Sequence, residues 1–358
     1  MKIFTDEHRG AGVLYLSRQD VIQAFGQVDV VGTVARTLEA HARGATLLPD
    51  EAYMSWDTAA GLSARCLAMP GGIEYPDRRI LGLKVINASL GNTGSGLPRS
   101  QGLTMIFDPE TSRPLVIMEA AYISALRTAA VTVVTAHHLG VPNAAVMALI
   151  GCGTLAKAHL ALLPQGLPGI RQVRLFDIQR SRAEELSRAL ADDADLDQVE
   201  VVVTTGAREC VRGAHLVVPV TTVTEGYLPL EWLLPGAVVA HVSLDDVLPD
   251  VVTGASLVLV DDWRLVSHDE HRLLGRMYRD GSLLAPDGSA FPGRTPVPSA
   301  RRVDGTLGEV LIGGVEARRK DTDIILSNPF GMSILDVAVA EQVYRSALET
   351  TLGHRLVI

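Results

Sequence analysis

The chain has 358 residues, of which 47% are hydrophobic and 20% charged, and its formal net charge is -9. That length accommodates two domains of about 150 residues, and the apolar fraction excludes a disordered chain. The acidic balance, with no basic run interleaved with aromatics, excludes a nucleic-acid surface and leaves small molecules as the expected partners.

Met1 to Gly10 carries acids where a signal peptide needs an apolar core, and no apolar run approaches the roughly 18 residues of a membrane span. A cytoplasmic protein without a membrane partner is expected. Cys66, Cys152 and Cys210 stand far apart without a C-x-x-C pair, so neither a disulfide framework nor a metal site is expected.

From Tyr15 to Ile117 the chain reads as an α+β region. It holds one amphipathic helix over Ser17 to Arg43, strands at Leu81 to Ile86 and Leu103 to Phe107, and a turn at Asp108 to Ser112. Met118 to Leu139, rich in Ala and Thr, predicts a long connecting helix. A strand-and-helix alternation then starts at Val146. Its β-branched runs are Val199 to Thr205, His215 to Thr222, Ala237 to Ser243 and Leu257 to Asp261, with a helix-like segment at Ala207 to Gly213. Such nearly continuous apolar strands belong to a parallel sheet covered on both faces. Pro286, Pro292, Pro296 and Pro298 predict a loop, and Gly331 to Leu352 a helix that returns to the first domain. The fold class is therefore α/β: a Rossmann-type domain over residues 128–321, and an α+β substrate-binding and dimerisation domain over 1–127 and 322–358.

One segment carries the most specific chemistry. The apolar strand Val146 to Ile150 runs into Gly151-x-Gly153-x-x-Ala156 and then a helix. Gly151 permits the sharp turn, Gly153 lets a pyrophosphate approach the backbone, and small Ala156 lets the helix lie close to the sheet. The next apolar run, Gln172 to Asp177, ends in an acid at the offset where such folds bind ribose hydroxyls, which favours NAD. Arg180 and Arg182 follow closely and could hold a 2′-phosphate instead.

Arg65-Cys-Leu-Ala-Met-Pro70, Gly82-Leu-Lys84, Leu126-Arg-Thr-Ala-Ala130, the glycine turn, Asp246 after a strand, and Asn328-Pro-Phe-Gly-Met-Ser-Ile-Leu-Asp336 together resemble the ornithine cyclodeaminase/mu-crystallin family from Leu14 onward. Leu14 to Asp20, Met118-Glu-Ala, Ile150 to Gly153, Val260-Asp-Asp-Trp263 and Asn328-Pro-x-Gly-Met332 are similar to its N-(2-amino-2-carboxyethyl)-L-glutamate dehydrogenase branch, which serves 2,3-diaminopropionate synthesis for siderophores and antibiotics.

A substrate carboxylate calls for Arg forks or a Lys point charge, and Arg65, Lys84 and Arg127 lie in these motifs. Taken alone, Arg65 reads as a surface charge on a strand and Arg127 as a solvated helix face. Lys84 interrupts the apolar run Ile80 to Ile86, so it must snorkel or meet an anion. The resemblance implies that all three hold the substrate, with Lys84 also counted as catalytic. It further implies cofactor contacts at Thr128, Thr154, Leu155, Thr221 and Asn328, besides Gly151, Gly153, Ala156 and Asp177, and a homodimer formed through residues 15–117.

Amine oxidation needs a neutral nitrogen and hence a base. The resemblance assigns that role to Asp246, with Asp245 as rival and a turn acid as the ordinary reading of both. His241 reads as a satisfied core histidine, His137 and His138 as helix-terminal residues, and Asp261 and Asp262 as strand-end acids. Family cyclodeaminases carry Asn-Ala-x-Gly-Ala-Asp-x-Pro here, whereas this chain reads His241-Val-Ser-Leu-Asp-Asp-Val-Leu-Pro249. That departure argues against ring formation. The implied reaction is NAD-dependent oxidation of the adduct, hydrolysis of the imine, and release of 2-oxoglutarate and 2,3-diaminopropionate. Redox-neutral cyclodeamination with ammonia release, and a mu-crystallin-like imine reductase or nucleotide binder, are the alternatives.

Overall fold

The computed structural model describes residues 12–140, 143–191 and 193–357, so the segment Met1 to Gly10 lies outside the described residues. The chain divides into two compact units, Met1–Arg127 with Met332–Ile358, and Thr128–Gly331. No helix among the described residues is long and apolar enough to cross a membrane.

The first unit carries β1 (Val13–Leu16), β2 (Thr46–Leu47), β3 (Ala52–Asp57), β4 (Ser63–Tyr75), β5 (Arg78–Ser89), β6 (Ser100–Phe107) and β7 (Pro114–Glu119). With the strand His354–Leu356 they form one mixed sheet in the order His354–Leu356, β1, β7, β6, β5, β4, β2, and β3 pairs with β4. The helix Ser333–Glu349 packs on β4, β5 and β6. It is apolar nearly all round, burying Ile334, Leu335, Val337, Val339 and Val343, and each such side chain contributes about 1.5–3 kcal/mol. Gly71 and Gly82 are cross-strand partners beneath it. A Cβ on Gly71 would lie 2.6 Å from Ser333 Oγ, and one on Gly82 2.6 Å from the Met105 carbonyl and 3.0 Å from Val337 Cγ2. Bare backbone is what lets helix and sheet approach.

In the second unit, β8 (Val146–Ile150), β9 (Gln172–Phe176), β10 (Glu200–Val203), β11 (Leu216–Pro219), β12 (Val238–Ala240) and β13 (Leu257–Val260) join strands Gly305–Thr306 and Ile325–Asn328. The order is β10, β9, β8, β11, β12, Ile325–Asn328, β13, Gly305–Thr306, and every pairing is parallel. The order reverses between β8 and β11, and the carboxyl ends of the strands at such a reversal are where open α/β sheets bind ligands. This is the Rossmann arrangement beside an α+β unit that the sequence implied.

The structure corrects several boundaries. Ser17 to Arg43 is two helices, Arg18–Phe25 and Val30–Ala42, because the first is capped at Gly26 and Asp29 starts the second by accepting the Gly32 N–H. The long helix starts at Ala121 rather than Met118, since Met118 and Glu119 still belong to β7 and the Glu119 carboxylate caps the N–H groups of Ala121 and Tyr122. Residues 322–331 belong to the parallel-sheet unit, not to the first domain. The short run Ile325–Asn328 is inserted as a strand between β12 and β13, and Ser333 begins the helix that returns.

Candidate functional site

The glycine turn follows β8 directly. Gly151 has φ 93°, and a Cβ there would stand 2.9 Å from the Val220 carbonyl, which follows β11 across the reversal point. Gly153, the N-cap of the helix Thr154–Ala161, faces open space where a Cβ would be, and no side chain caps the N–H groups behind it. Thr154 is exposed, Leu155 half-buried and Ala156 fully buried. An exposed cradle of bare backbone with free helix N–H groups fits a dinucleotide pyrophosphate. Asp177 follows β9 and accepts the Cys152 N–H at 2.9 Å and the Gln179 N–H at 2.8 Å, so it braces the turn with lone pairs to spare for ribose hydroxyls. Arg180 is engaged by Glu184 at 2.8 Å. Thr128 is half-buried on the helix Ala121–Leu139.

Next to the reversal point stands Asp246, 0% exposed. Its Oδ1 accepts hydrogen bonds from Thr221 Oγ1 at 2.5 Å and Tyr227 Oη at 3.0 Å, and its Oδ2 accepts one from Ser243 Oγ. Burial pushes this carboxyl up, yet the contacts with His241, Ser243 and Thr221 outweigh it and hold the group below the ordinary carboxylate value. Burial, with the adjacent Asp246 charge, drives the Tyr227 phenol far above its usual value, so it stays a donor. His241 Nε2 accepts the Asp246 N–H at 2.9 Å and Nδ1 lies 2.7 Å from Asn328 Oδ1, which assigns the Nδ1–H tautomer. Thus Asn328, expected at the cofactor, spends its carbonyl oxygen on His241.

Asp245 differs from its neighbour. Its oxygens take Arg272 at 2.6 Å, Arg276 at 3.2 Å and the Leu273 N–H at 3.1 Å, leaving it committed to structure. Leu244, just before it, is buried with φ 78°, a left-handed conformation that costs a branched side chain about 1–2 kcal/mol. Asp261 likewise is structural, accepting the N–H groups of Phe330 at 2.9 Å and Gly331 at 2.6 Å and so fixing the turn after Asn328.

The first unit holds a second cluster. Lys84 on β5 is 2% exposed and donates to Asp336 Oδ2 at 2.9 Å and Ser124 Oγ at 3.3 Å. Arg127 is 8% exposed, with Nε 3.1 Å from the same Oδ2 but not aligned to donate to it. Neither cation is a solvated surface charge. Burial lowers the Lys84 pKa below the ordinary lysine value, Arg127 reinforces this, and Asp336 opposes it. For Asp336, burial acts to raise the carboxyl, but Arg127 and Lys84 bring it below its usual range. Lys84 and Arg127 face Asp336 at close range, with Glu51 acting on Lys84 as a further negative charge, and an incoming carboxylate would meet both cations in a dry setting. Asp336 Oδ1 and Thr104 Oγ1 are buried and unpartnered among the described residues, and Thr104 pairs with Lys84 across the strands. Arg65, half-buried on β4, is four register pairs from the Met69–Lys84 pair and therefore on the same sheet face. Its guanidinium has no hydrogen bond or ion pair among the described residues.

Asp336, Tyr227 and Ser243 carry no role in the sequence reading. Lys84 did signal that an anion had to be near; the anion is 252 residues further along the chain.

The family model for the ornithine cyclodeaminase/mu-crystallin family matches residues 15–351. N-((2S)-2-amino-2-carboxyethyl)-L-glutamate dehydrogenase of Staphylococcus aureus is 30% identical over 353 residues, 96% of this chain and 98% of that protein. The crystal structure of CmnK is 38% identical with a TM-score of 0.86, covering 98% of this chain and 99% of that one. An archaeal alanine dehydrogenase dimer with bound NAD shares the fold at a TM-score of 0.81 and 24% identity, over 97% of this chain and 99% of its own. A match of this length, on a chain with a Rossmann sheet and a glycine turn at its reversal point, places the protein in the ornithine cyclodeaminase/mu-crystallin family.

Proposed function

We propose that the protein is an NAD-dependent dehydrogenase of a C–N bond that oxidatively hydrolyses N-(2-amino-2-carboxyethyl)-L-glutamate to 2-oxoglutarate and 2,3-diaminopropionate. The observation that carries this reading is Asp246: a buried carboxylate, collared by three hydroxyls, following a strand end of a parallel sheet that also bears a dinucleotide cradle. A protein that only stored nucleotide has no use for such a base. The 30% identity to the S. aureus dehydrogenase over nearly the whole chain supports the substrate class.

Lys84 and Arg127 bind a substrate carboxylate by charge and Arg65 supplies a further fork. Bound NAD supplies the hydride acceptor. Asp246 takes the proton from the substrate nitrogen, so that the lone pair can form the imine. Water adds to that imine, and the carbinolamine collapses to the keto acid and the free amine. Thr221, Tyr227 and Ser243 orient the carboxylate throughout. Leu244 and Asp245, standing where family cyclodeaminases carry Gly and Ala, disfavour ring closure.

Incubation with the adduct and NAD tests this reading. NADH and 2-oxoglutarate should appear in equal amounts. Consumption of ornithine or lysine with a cyclic product and no net NADH would instead establish the cyclodeaminase, and reduction of a cyclic imine without oxidation of the adduct would establish the reductase.

We also propose a cytoplasmic homodimer paired through the first unit. Tyr53, Met54 and Trp56 on β3 are 59%, 60% and 45% exposed, and an apolar edge strand of this kind needs cover. Light scattering at micromolar concentration should give twice the 38.2 kDa chain mass; a species of the single-chain mass removes the dimer.

A further inference from the structure

Asp246 is 0% exposed, whereas Ser243, Thr221 and Tyr227 around it are half-buried. A base that cannot be touched directly must receive its proton through a group that can. All three hydroxyls donate to Asp246, so any of them could pass its own hydrogen to the carboxylate while accepting another. What separates them is the state after transfer. The relaying hydroxyl then has a new hydrogen, and its old direction is taken by the carboxylic O–H, so it needs a second acceptor. Thr221 Oγ1 already accepts the Val223 N–H at 3.2 Å and has no acceptor besides Asp246 among the described residues. Tyr227 Oη likewise has only Asp246. Ser243 Oγ lies 2.8 Å from the Pro219 carbonyl as well as against Asp246 Oδ2. A serine has one hydrogen, so these two acceptors are served in alternation.

We propose that Ser243 is a catalytic relay, the hydroxyl through which the substrate's proton reaches Asp246 Oδ2. This inference rests on the acid–base role of Asp246 argued above. In the resting state the Ser243 O–H donates to Asp246 Oδ2. As the N–H bond of the protonated secondary amine breaks, that proton bonds to Ser243 Oγ and the original serine hydrogen moves to Oδ2. The nitrogen keeps its electron pair, the serine begins and ends neutral, and the carboxylate becomes a carboxylic acid. The new Asp246 O–H then donates to Ser243 Oγ, and the new Ser243 O–H donates to the Pro219 carbonyl. Both hydrogens have an acceptor before and after the transfer. Oδ1 keeps its Thr221 and Tyr227 contacts, so the proton settles on the other oxygen.

The test compares Ser243→Ala, Ser243→Thr and Asp246→Asn in single-turnover NADH formation with the adduct, with NAD titration showing that each variant keeps its dinucleotide domain. Ser243→Ala should lose roughly 10²-fold in rate at unchanged NAD affinity, and Ser243→Thr, which retains a hydroxyl, should stay within a few-fold of the parent. A parent rate in Ser243→Ala beside a slow Asp246→Asn would overturn the relay alone. So would a Ser243→Thr variant as slow as Ser243→Ala, since the hydroxyl would then not be what matters. A parent rate in Asp246→Asn would remove the acid–base reading itself.

Discussion

His241 Nε2 accepts the backbone N–H of Asp246 at 2.9 Å and stands 3.6 Å from its Oδ2, so the histidine's hydrogen bond goes to the main chain of Asp246. The ring must then carry its hydrogen on Nδ1, and Asn328 Oδ1 is the acceptor that fixes this tautomer at 2.7 Å. Asn328→Leu should strand a buried imidazole N–H and cost about 1–3 kcal/mol. Urea unfolding reads this directly, and an unchanged midpoint would mean that the ring finds another partner.

The two adjacent aspartates should separate cleanly. Asp246→Asn keeps volume and removes the base, so turnover should fall roughly 10²- to 10⁴-fold with cofactor affinity unchanged. Asp245→Asn weakens contacts to Arg272 and Arg276 and should cost stability, about 1.5–3 kcal/mol, while turnover stays the closer to the parent. Stopped-flow kinetics and thermal unfolding on both variants check the pair. The opposite pattern would move the base to Asp245.

Substrate binding should depend on pH through Lys84. Its pKa is held below the ordinary lysine value, first by burial, so the ammonium is lost at lower pH than in a free lysine. The adduct KM should therefore rise on the alkaline side while NAD affinity does not. Lys84→Arg stays charged and should push that rise to higher pH; an unmoved alkaline limb would mean that another group titrates there. Asp336→Asn removes the shared counter-charge. It should also raise KM, by at least about tenfold or 1.4 kcal/mol, if aligned cations are what the substrate meets.

What was legible in the sequence follows from how local each feature is. The glycine turn, its strand and the acid after β9 sit within one βαβ stretch, and backbone sterics write them into residue type. Lys84 betrayed a missing anion because a charge inside an apolar strand is costly unless paired. Asp336 could not be identified as that anion, since only the return of the last helix onto β5 brings them together. The hydroxyls around Asp246 were hidden for another reason. Ser, Thr and Tyr occur everywhere, and only the loops after β11 and β12 turn Thr221 and Ser243 onto one carboxylate. Asn328 illustrates the converse: the motif was visible, but not that its amide oxygen would face an imidazole.

Stability should fall on mild acidification. Burial pushes the His159 imidazole down to about 4, against the usual 6.5; its Nδ1 lies 2.7 Å from the Leu155 carbonyl and Nε2 2.9 Å from Thr132 Oγ1. Below pH 6.5 the unfolded chain binds a proton that the folded ring refuses. The contribution is thus full above that pH and lost as pH drops toward 4, about 3 kcal/mol in all. Chemical denaturation across this window should show the slope, and His159→Gln should flatten it.

NAD should bind at least about tenfold more tightly than NADP, roughly 1.4 kcal/mol. Asp177 presents a carboxylate to any 2′-phosphate, and Arg180, the nearby cation, is paired with Glu184. Titration with both nucleotides decides this, and Asp177→Ser should narrow the gap. Equal affinities in the parent would show that Arg182 compensates.

Leu244 gives the loop that carries Asp246 a history written in conformational energy. Glycine would occupy φ 78° without steric penalty, yet the folded loop retains a buried leucine there. A glycine would relieve the folded chain but widen the unfolded ensemble, and it would also give up the burial of the leucine side chain, about 1.5–3 kcal/mol. Burial therefore outweighs the strain, and global stability favours the leucine here. The strain two residues before Asp246 is thus held in place by packing, and a change of residue there is felt in the fold before it is felt in any chemistry.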